Sequence, residues 1–252
     1  MDRLIYTAMT AMNAAMDRQR VVANNLANAS TPGFRQEVFA VTPATLRDGS
    51  LEARAMARGN VRGADMGAGR SVPTGNPLDV SLEGEALLAF QSPDRQGEVY
   101  SRRGDLRVAA SGVLENGDGL AVLGEGGAPI TVPPGYILAI AADGTVLGRD
   151  PTQANSPSEP IDRIRMVNPE GSPLAKGIDG FLKVPGPNGG TGVLPPDPTA
   201  RLTPGTLEMS NVQTADTLVQ MVEAQRSFEQ RARVIATAGE LDEAGAGLMA
   251  LR

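Results

Sequence analysis

Residues 1–31 read MDRLIYTAMTAMNAAMDRQRVVANNLANAST and contain neither proline nor glycine. Residues 206–238, TLEMSNVQTADTLVQMVEAQRSFEQRARVIATA, share that property. Between them lie most of the chain's 19 prolines, 14 of them from Pro129 to Pro204. Proline costs about 3 kcal/mol in a helix interior and glycine about 1 kcal/mol. Only the two ends can therefore be long helices. The layout predicts an α+β chain: long N- and C-terminal helices, pairing as a coiled-coil-like layer, with a central all-β domain.

Periodicity sharpens both ends. Asp2 is placed to cap the first helix, and Ile5, Met9, Met12, Met16, Ala23 and Leu26 follow a 4-3 spacing that Gln19 interrupts. Leu4, Ala8, Ala11, Ala15 and Val22 form a second stripe of smaller residues beside it. Pro32 and Gly33 stop the helix near Thr31. At the other end Ser210-Asn211-Val212-Gln213 fits a capping box. Leu218, Met221, Phe228, Ala232 and Ile235 then form a stripe that includes Gln225, and Val212, Ala215, Val219 and Val222 widen it. Gly239, Gly245 and Gly247 weaken the last turns. Each helix is expected to run about 30 residues, or ~45 Å. Two adjacent apolar stripes predict contact with more than one neighbour. Aromatic residues are 3% of the chain and tryptophan is absent. Aromatic side chains supply much of an ordinary core, so assembly is expected to provide the missing burial.

The middle reads as short strands and turns. Residues 34–75 and 196–205 are expected to connect the helices to a compact β domain at 76–195. Within the connector, Gln36–Val41 is a strand candidate and Arg47–Arg70 has no strong period. Leu78, Val80 and Leu82 alternate with polar residues. Further strand candidates include Ala86–Gln91, Glu98–Ser101, Ile137–Ala141 and Gly180–Val184, and Asp143-Gly144 reads as a tight hairpin turn.

Charge and composition narrow the chemistry. The net charge is −6, which argues against nucleic acid as a partner. Histidine and cysteine are both absent, which removes imidazole- and thiolate-based catalysis and the usual zinc ligands. No catalytic residue, metal ligand or cofactor site is expected. No apolar run approaches the ~20 residues of a membrane span. The first helix is expected to meet protein and not a membrane. The N-terminus lacks the continuous apolar region of a cleaved secretory signal. Glu83 and Glu85 are the nearest approach to a hydrolase carboxylate pair and read more simply as solvated carboxylates. The glycine-rich run from Gly186 to Gly192 lacks the lysine and helix of a phosphate loop. Arg103-Gly104-Asp105 spells an adhesion tripeptide, for which chance is the better reading. Arg102-Arg103 reads as a charged pair beside a turn.

Asn24, Asn25 and Asn28 demand a reason, because asparagine is a mediocre helix former. The spacing predicts polar contacts between helices that fix register at a cost in stability, with Gln225 in the same part. The plainer reading is fraying toward the helix end.

Three separated stretches carry a family resemblance. Val22–Phe34, VANNLANASTPGF, resembles the N-terminal signature of flagellar rod and hook proteins. Leu207–Val212 followed by Ala224–Glu229 is similar to the matching C-terminal signature, and Thr74–Val80 to the segment that opens the family's β domain. The run Gly84–Ala89 departs from the Gly-Asp-Gly-Phe-Phe-like pattern usual there, and Gly239 stands where an acidic residue is common. The opening MDRLIYTAM is most similar to proximal rod members, with distal rod members next. The resemblance implies a non-enzymatic subunit of the flagellar drive shaft, exported by the flagellar type III apparatus without signal cleavage and located in a rod that crosses the periplasm. It implies neighbours among proximal and distal rod proteins and further copies of the chain. It also implies an assembly interface along the terminal helices: Ile5, Met9, Met12, Met16, Asn24, Asn25, Leu26 and Asn28 on one, and Leu218, Met221, Gln225, Phe228, Ala232 and Ile235 on the other.

Overall fold

The computed structural model describes residues 2–48, 51–94, 97–152, 157–177, 180–186 and 191–250, without side chains for 2–5, 41–62, 242, 245 and 248–250. The chain divides into two compact units. One comprises residues 1–27, 37–63 and 213–252, and the other comprises 28–36 and 64–212.

The first unit contains α1 (Asp2–Ala27), a two-stranded pair of β1 (Glu37–Asp48) and β2 (Leu51–Ala64), and α2 (Thr214–Ala250). Arg18 reaches Glu223 at 3.6 Å, and Arg231 donates to the Ala11 carbonyl oxygen, so the helices run antiparallel. Burial in α1 falls on Ala14, Ala15, Val21, Val22 and Asn25. In α2 it recurs at Thr217, Ala224 and Ala238. Small residues at these positions let two helix backbones approach closely.

Two expectations about the helices are corrected. Ser210 does not cap α2, which starts four residues later at Thr214. Ser210 Oγ instead accepts from the Val212 amide. The expected length of about 30 residues is also exceeded, because α2 runs 37 residues through Gly239, Gly245 and Gly247 to Ala250. Within the segment 34–75, read as an extended connector, β1 and β2 are paired strands. Positions 51, 53, 55, 57, 59, 61 and 63 of β2 are Leu, Ala, Ala, Ala, Gly, Val and Gly, and the positions between them are mainly polar. That is a period of two, muted because alanine and glycine carry little hydropathy.

The second unit is strand-rich. In order it holds β3 (Ser71–Pro73), β4 (Val80–Leu82), β5 (Leu87–Gln91), β6 (Glu98–Ser101), β7 (Leu106–Val108) and β8 (Leu114–Asn116). These are followed by β9 (Ile137–Ile140), β10 (Thr145–Arg149), β11 (Glu159–Arg163), β12 (Met166–Val167) and β13 (Ala175–Lys176). The last are β14 (Leu182–Pro185), β15 (Thr191–Gly192), β16 (Leu202–Pro204) and β17 (Thr206–Glu208). The main sheet runs β12-β5-β6-β14-β13, with β15 on β14, and a second sheet runs β11-β10-β9. All pairings are antiparallel among those with a described register.

β5 lies between β12 and β6 in the main sheet, and its alternation feeds two cores. Leu88 and Phe90 join a cluster with Val99, Leu114, Ile130, Val146 and Ile164. Leu87 and Ala89 join Tyr100, Val167, Leu182 and Leu194. The run that departs from the family pattern starts at the surface and turns inward: Gly84 takes the turn at φ +64°, and the leucines after it are fully buried. The Asp143-Gly144 turn joins β9 to β10, with the Ala141 amide donating to the Thr145 carbonyl.

The C-terminal segment completes this unit before α2 begins. β16 pairs with β4 and β17 with β3.

Candidate functional site

The surfaces of α1 and α2 carry the residues expected at an assembly interface. Met9 and Met16 are each 51% exposed, Met12 and Leu26 are half-buried, and the Ile5 side chain lies outside the described residues. On α2, Met221, Phe228, Ala232 and Ile235 are half-buried, while Leu218 and Gln225 are exposed. Tyr6, Val219, Val222, Val234 and Leu241 add further exposed apolar area. The apolar arc of each helix is thus wider than the arc its own partner helix covers. On α1 the small-residue side is buried, and the methionine stripe faces outward.

The asparagines are used differently from their expected role between helices. Asn25 donates from Nδ2 to the Glu37 carbonyl oxygen at 3.0 Å, and its Oδ1 accepts from the Glu37 amide at 2.8 Å. Its side chain thereby pairs with the backbone as a neighbouring strand would and fixes the start of β1. Asn24 donates to the Glu37 carboxylate at 2.7 Å. Asn28 accepts from the Thr31 hydroxyl and the Thr31 amide, which closes the turn after α1. Gln225 donates to Glu229 along its own helix.

A second constellation lies within the strand-rich unit and was not singled out from the sequence. Glu208, 2% exposed, accepts from Arg35 Nη1 on Oε1 at 2.7 Å and from Arg102 Nε on Oε2 at 2.6 Å. The Gly69 amide also donates to Oε1. Arg102 spends its other donors on the carbonyls of Leu82, Gly84 and Ala86. Arg102, read from the sequence only as one of a charged pair beside a turn, is buried and four times hydrogen-bonded. Arg35 Nη1 also donates to the Gly67 carbonyl. Burial pulls the Arg35 guanidinium below its usual range, the Glu208 carboxylate opposes that pull, and Arg102 adds to it.

Neighbouring bonds extend this junction. The Gly33 amide donates to the Glu208 carbonyl at 2.7 Å. Gly33 sits at φ +66°, and a Cβ there would run into the backbone of Arg102 and Arg103, so only glycine fits. Asn211 Oδ1 accepts from the Gln36 amide, and Nδ2 donates to the carbonyls of Asp65 and Gly67. Lys176 donates to the Arg35 carbonyl and lies 3.6 Å from the centre of the Phe34 ring. Gly33 and Phe34, at the end of the N-terminal signature, and Arg35, directly after it, therefore meet Glu208 and Asn211 of the C-terminal one. The sequence signal was a charged residue at each motif, Arg35 directly after Gly33-Phe34 and Glu208 before Ser210-Asn211.

Residues 5–35 match the family model described as flagella basal body rod protein, and residues 203–248 match that of the flagellar basal body rod FlgEFG protein C-terminal. Those spans contain both halves of the junction. The chain is 38% identical over 239 residues to the flagellar basal-body rod protein FlgF of Escherichia coli strain K12, covering 94% of each chain. The chain belongs to the flagellar basal-body rod protein family. FlgF of Salmonella typhimurium strain LT2 is likewise 38% identical, covering 95% of each chain. FlgG of Bacillus subtilis strain 168 is 27% identical over 95% of this chain and 96% of its own. The chain is a structural rod subunit, and rod membership supports assembly with other flagellar rod proteins. Among the described residues no helix is long and apolar enough to cross a membrane.

The remaining motifs are accounted for locally. Arg103 forks onto Asp105 at 2.7 and 2.9 Å and also reaches Asp118. The adhesion-like tripeptide is thus an internal ion pair. Glu83 and Glu85 are exposed on either side of Gly84, and Glu83 accepts from the Thr203 hydroxyl. Residues 187–190 of the glycine-rich run lie outside the described residues.

Proposed function

We propose that this rod subunit occupies the proximal rod and polymerises through its terminal helices to transmit torque. It acts as a load-bearing element and not as an enzyme. The 38% identity to FlgF of Escherichia coli and of Salmonella typhimurium, against 27% to FlgG of Bacillus subtilis, favours the proximal position. The observation that carries the assembly mode is the surplus apolar face: Met9, Met16, Leu218, Val219, Val222 and Leu241 are each half exposed or more. Fully burying a side chain of this kind contributes about 1.5–3 kcal/mol, so neighbours that cover the half still exposed gain about half that increment at each residue.

The helices of one copy pair in a coiled-coil-like manner, with the spacing of Thr217, Ala224 and Ala238 as its basis. Neighbouring copies and other rod proteins then cover the outward stripes. Contacts of one face with a different face propagate as a helix when the rotation does not close, which yields a shaft. The candidate interface comprises Ile5, Met9, Met12, Met16 and Leu26 with Leu218, Met221, Phe228, Ala232 and Ile235. Asn24, Asn25, Asn28 and Gln225 support it from within each chain. Before assembly the helices are held loosely. The chain reaches a periplasm-crossing rod through the flagellar type III export apparatus.

Gene deletion followed by electron microscopy of purified basal bodies tests this reading. Arrest before the distal rod forms is the expected result, and complete rods in the deletion strain would refute it. Hydrogen exchange of the isolated chain tests the loose helices, which should exchange far faster than β5 and β6.

A further inference from the structure

Resting on the rod reading above, we propose that Glu208 is a positioning residue for assembly. With Arg35 and Arg102 it pins, at one point of the strand-rich unit, the two chain segments that lead to the terminal helices. α1 ends at Ala27 and α2 starts at Thr214, so Arg35 and Glu208 lie within a few residues of both. The Glu208 backbone carbonyl holds the Gly33 amide, and its carboxylate holds the Arg35 side chain. One residue therefore grips the incoming segment twice while belonging to the outgoing one.

The chemistry is ill suited to stability alone. Two guanidinium groups and one carboxylate are all removed from water, each at 3% exposure or less. Buried ion clusters often stabilise no more than apolar packing of the same volume, and their best-attested use is to select one arrangement among several. Arg35 illustrates the cost, because its Nε and Nη2 are buried with no acceptor among the described residues. What the cluster supplies is direction. Arg35 Nη1 must satisfy both Glu208 Oε1 and the Gly67 carbonyl, and Glu208 must also satisfy Arg102 and the Gly69 amide. An apolar plug would fill the space and leave the segments free to slide. Asn211, three residues on, repeats the grip on Gln36.

The chain contains no cysteine, so spin labels can be placed at Ser30→Cys and Ser210→Cys in the full chain. Pulsed electron resonance then reads the distance between the two segments, alongside thermal melting and the swimming of cells carrying each variant. The parent should give one narrow distance distribution. Glu208→Gln and Arg35→Met should each widen it at least about twofold and cut swim-ring diameter by more than half, while the strand-rich unit still melts cooperatively. Arg35→Met leaves Arg102 paired with Glu208, so it answers the question if Glu208→Gln does not fold. Arg35→Lys, which keeps the charge, should fall between. A distribution in Arg35→Met as narrow as the parent's overturns the proposal, and so does a widened distribution with undiminished swimming. The distances are read on the isolated chain. They judge the clamp separately from the rod reading, which fails if deletion of the gene leaves rods complete.

Discussion

The strand-rich unit and the helical unit bury different kinds of side chain. In the first, Phe90, Tyr100, Leu87, Leu88 and Leu114 are fully covered by residues of the same unit. In the second, the most deeply covered residues are alanines, valines, Thr217 and Asn25, while methionine, leucine and valine stand half exposed. One unit draws its stability from inside the chain. The other leaves its larger apolar side chains half exposed, on the faces proposed above for assembly. A low aromatic content therefore need not mean a weak fold throughout, because the two fully buried aromatics, Phe90 and Tyr100, both lie in the strand-rich unit.

The largest test of this contrast removes the helices. A chain without residues 2–27 and 214–250 should support no swimming, yet its strand-rich unit should still show a cooperative calorimetric transition. A swimming strain carrying that truncation would end the argument. Next in size is Phe90→Ala, expected to lower stability by about 3–5 kcal/mol in denaturant titration, as for a fully buried aromatic. A loss under about 1 kcal/mol would mean that the strand-rich unit is not the rigid part.

Tyr100 offers a smaller, pH-dependent test. Burial pushes its phenol up to about 12, against an ordinary value of about 10. The folded state thus holds the proton more tightly than the unfolded state. That contribution is fully present below about pH 10 and is lost as pH rises through about 12, amounting to on the order of 2 kcal/mol. Tyr100 also donates to Glu98 and accepts from the Leu194 amide. Tyr100→Phe should flatten the alkaline limb of a stability-against-pH curve, and an unchanged limb would assign the effect elsewhere. The smallest expected effect is that of Met16→Gln on the isolated chain, under about 0.5 kcal/mol because the side chain is exposed. The same substitution should impair swimming, which sharpens the difference between an inward and an outward apolar residue.

The helices were legible because proline and glycine are excluded from both ends, and local propensity alone decides that. β5 was legible because its apolar run is strand-length. β2 was not, since its alternation is written in alanine and glycine. The buried side of α1 was also misjudged in emphasis: the 4-3 stripe through Met9 and Met16 is the larger, but the helix pair buries Ala14, Ala15 and Val21. Apolar size does not reveal whether a face meets its own chain or another. The Arg35–Glu208–Arg102 junction escaped because its members are separated by up to 173 positions, and charge in sequence gives no sign of burial. Asn25 carried a real signal, an amide too costly for a helix interior without a partner, but the partner proved to be the Glu37 backbone.

The outward methionines also set a chemical vulnerability. In the isolated chain Met9 and Met16 are open to peroxide, whereas Met166, at 3% exposure, is shielded. Conversion of a thioether to its sulfoxide makes a soft apolar contact polar. Oxidant would thus spoil the bearing surface first and leave the folded body intact, yielding subunits that are sound in themselves and unfit for the shaft.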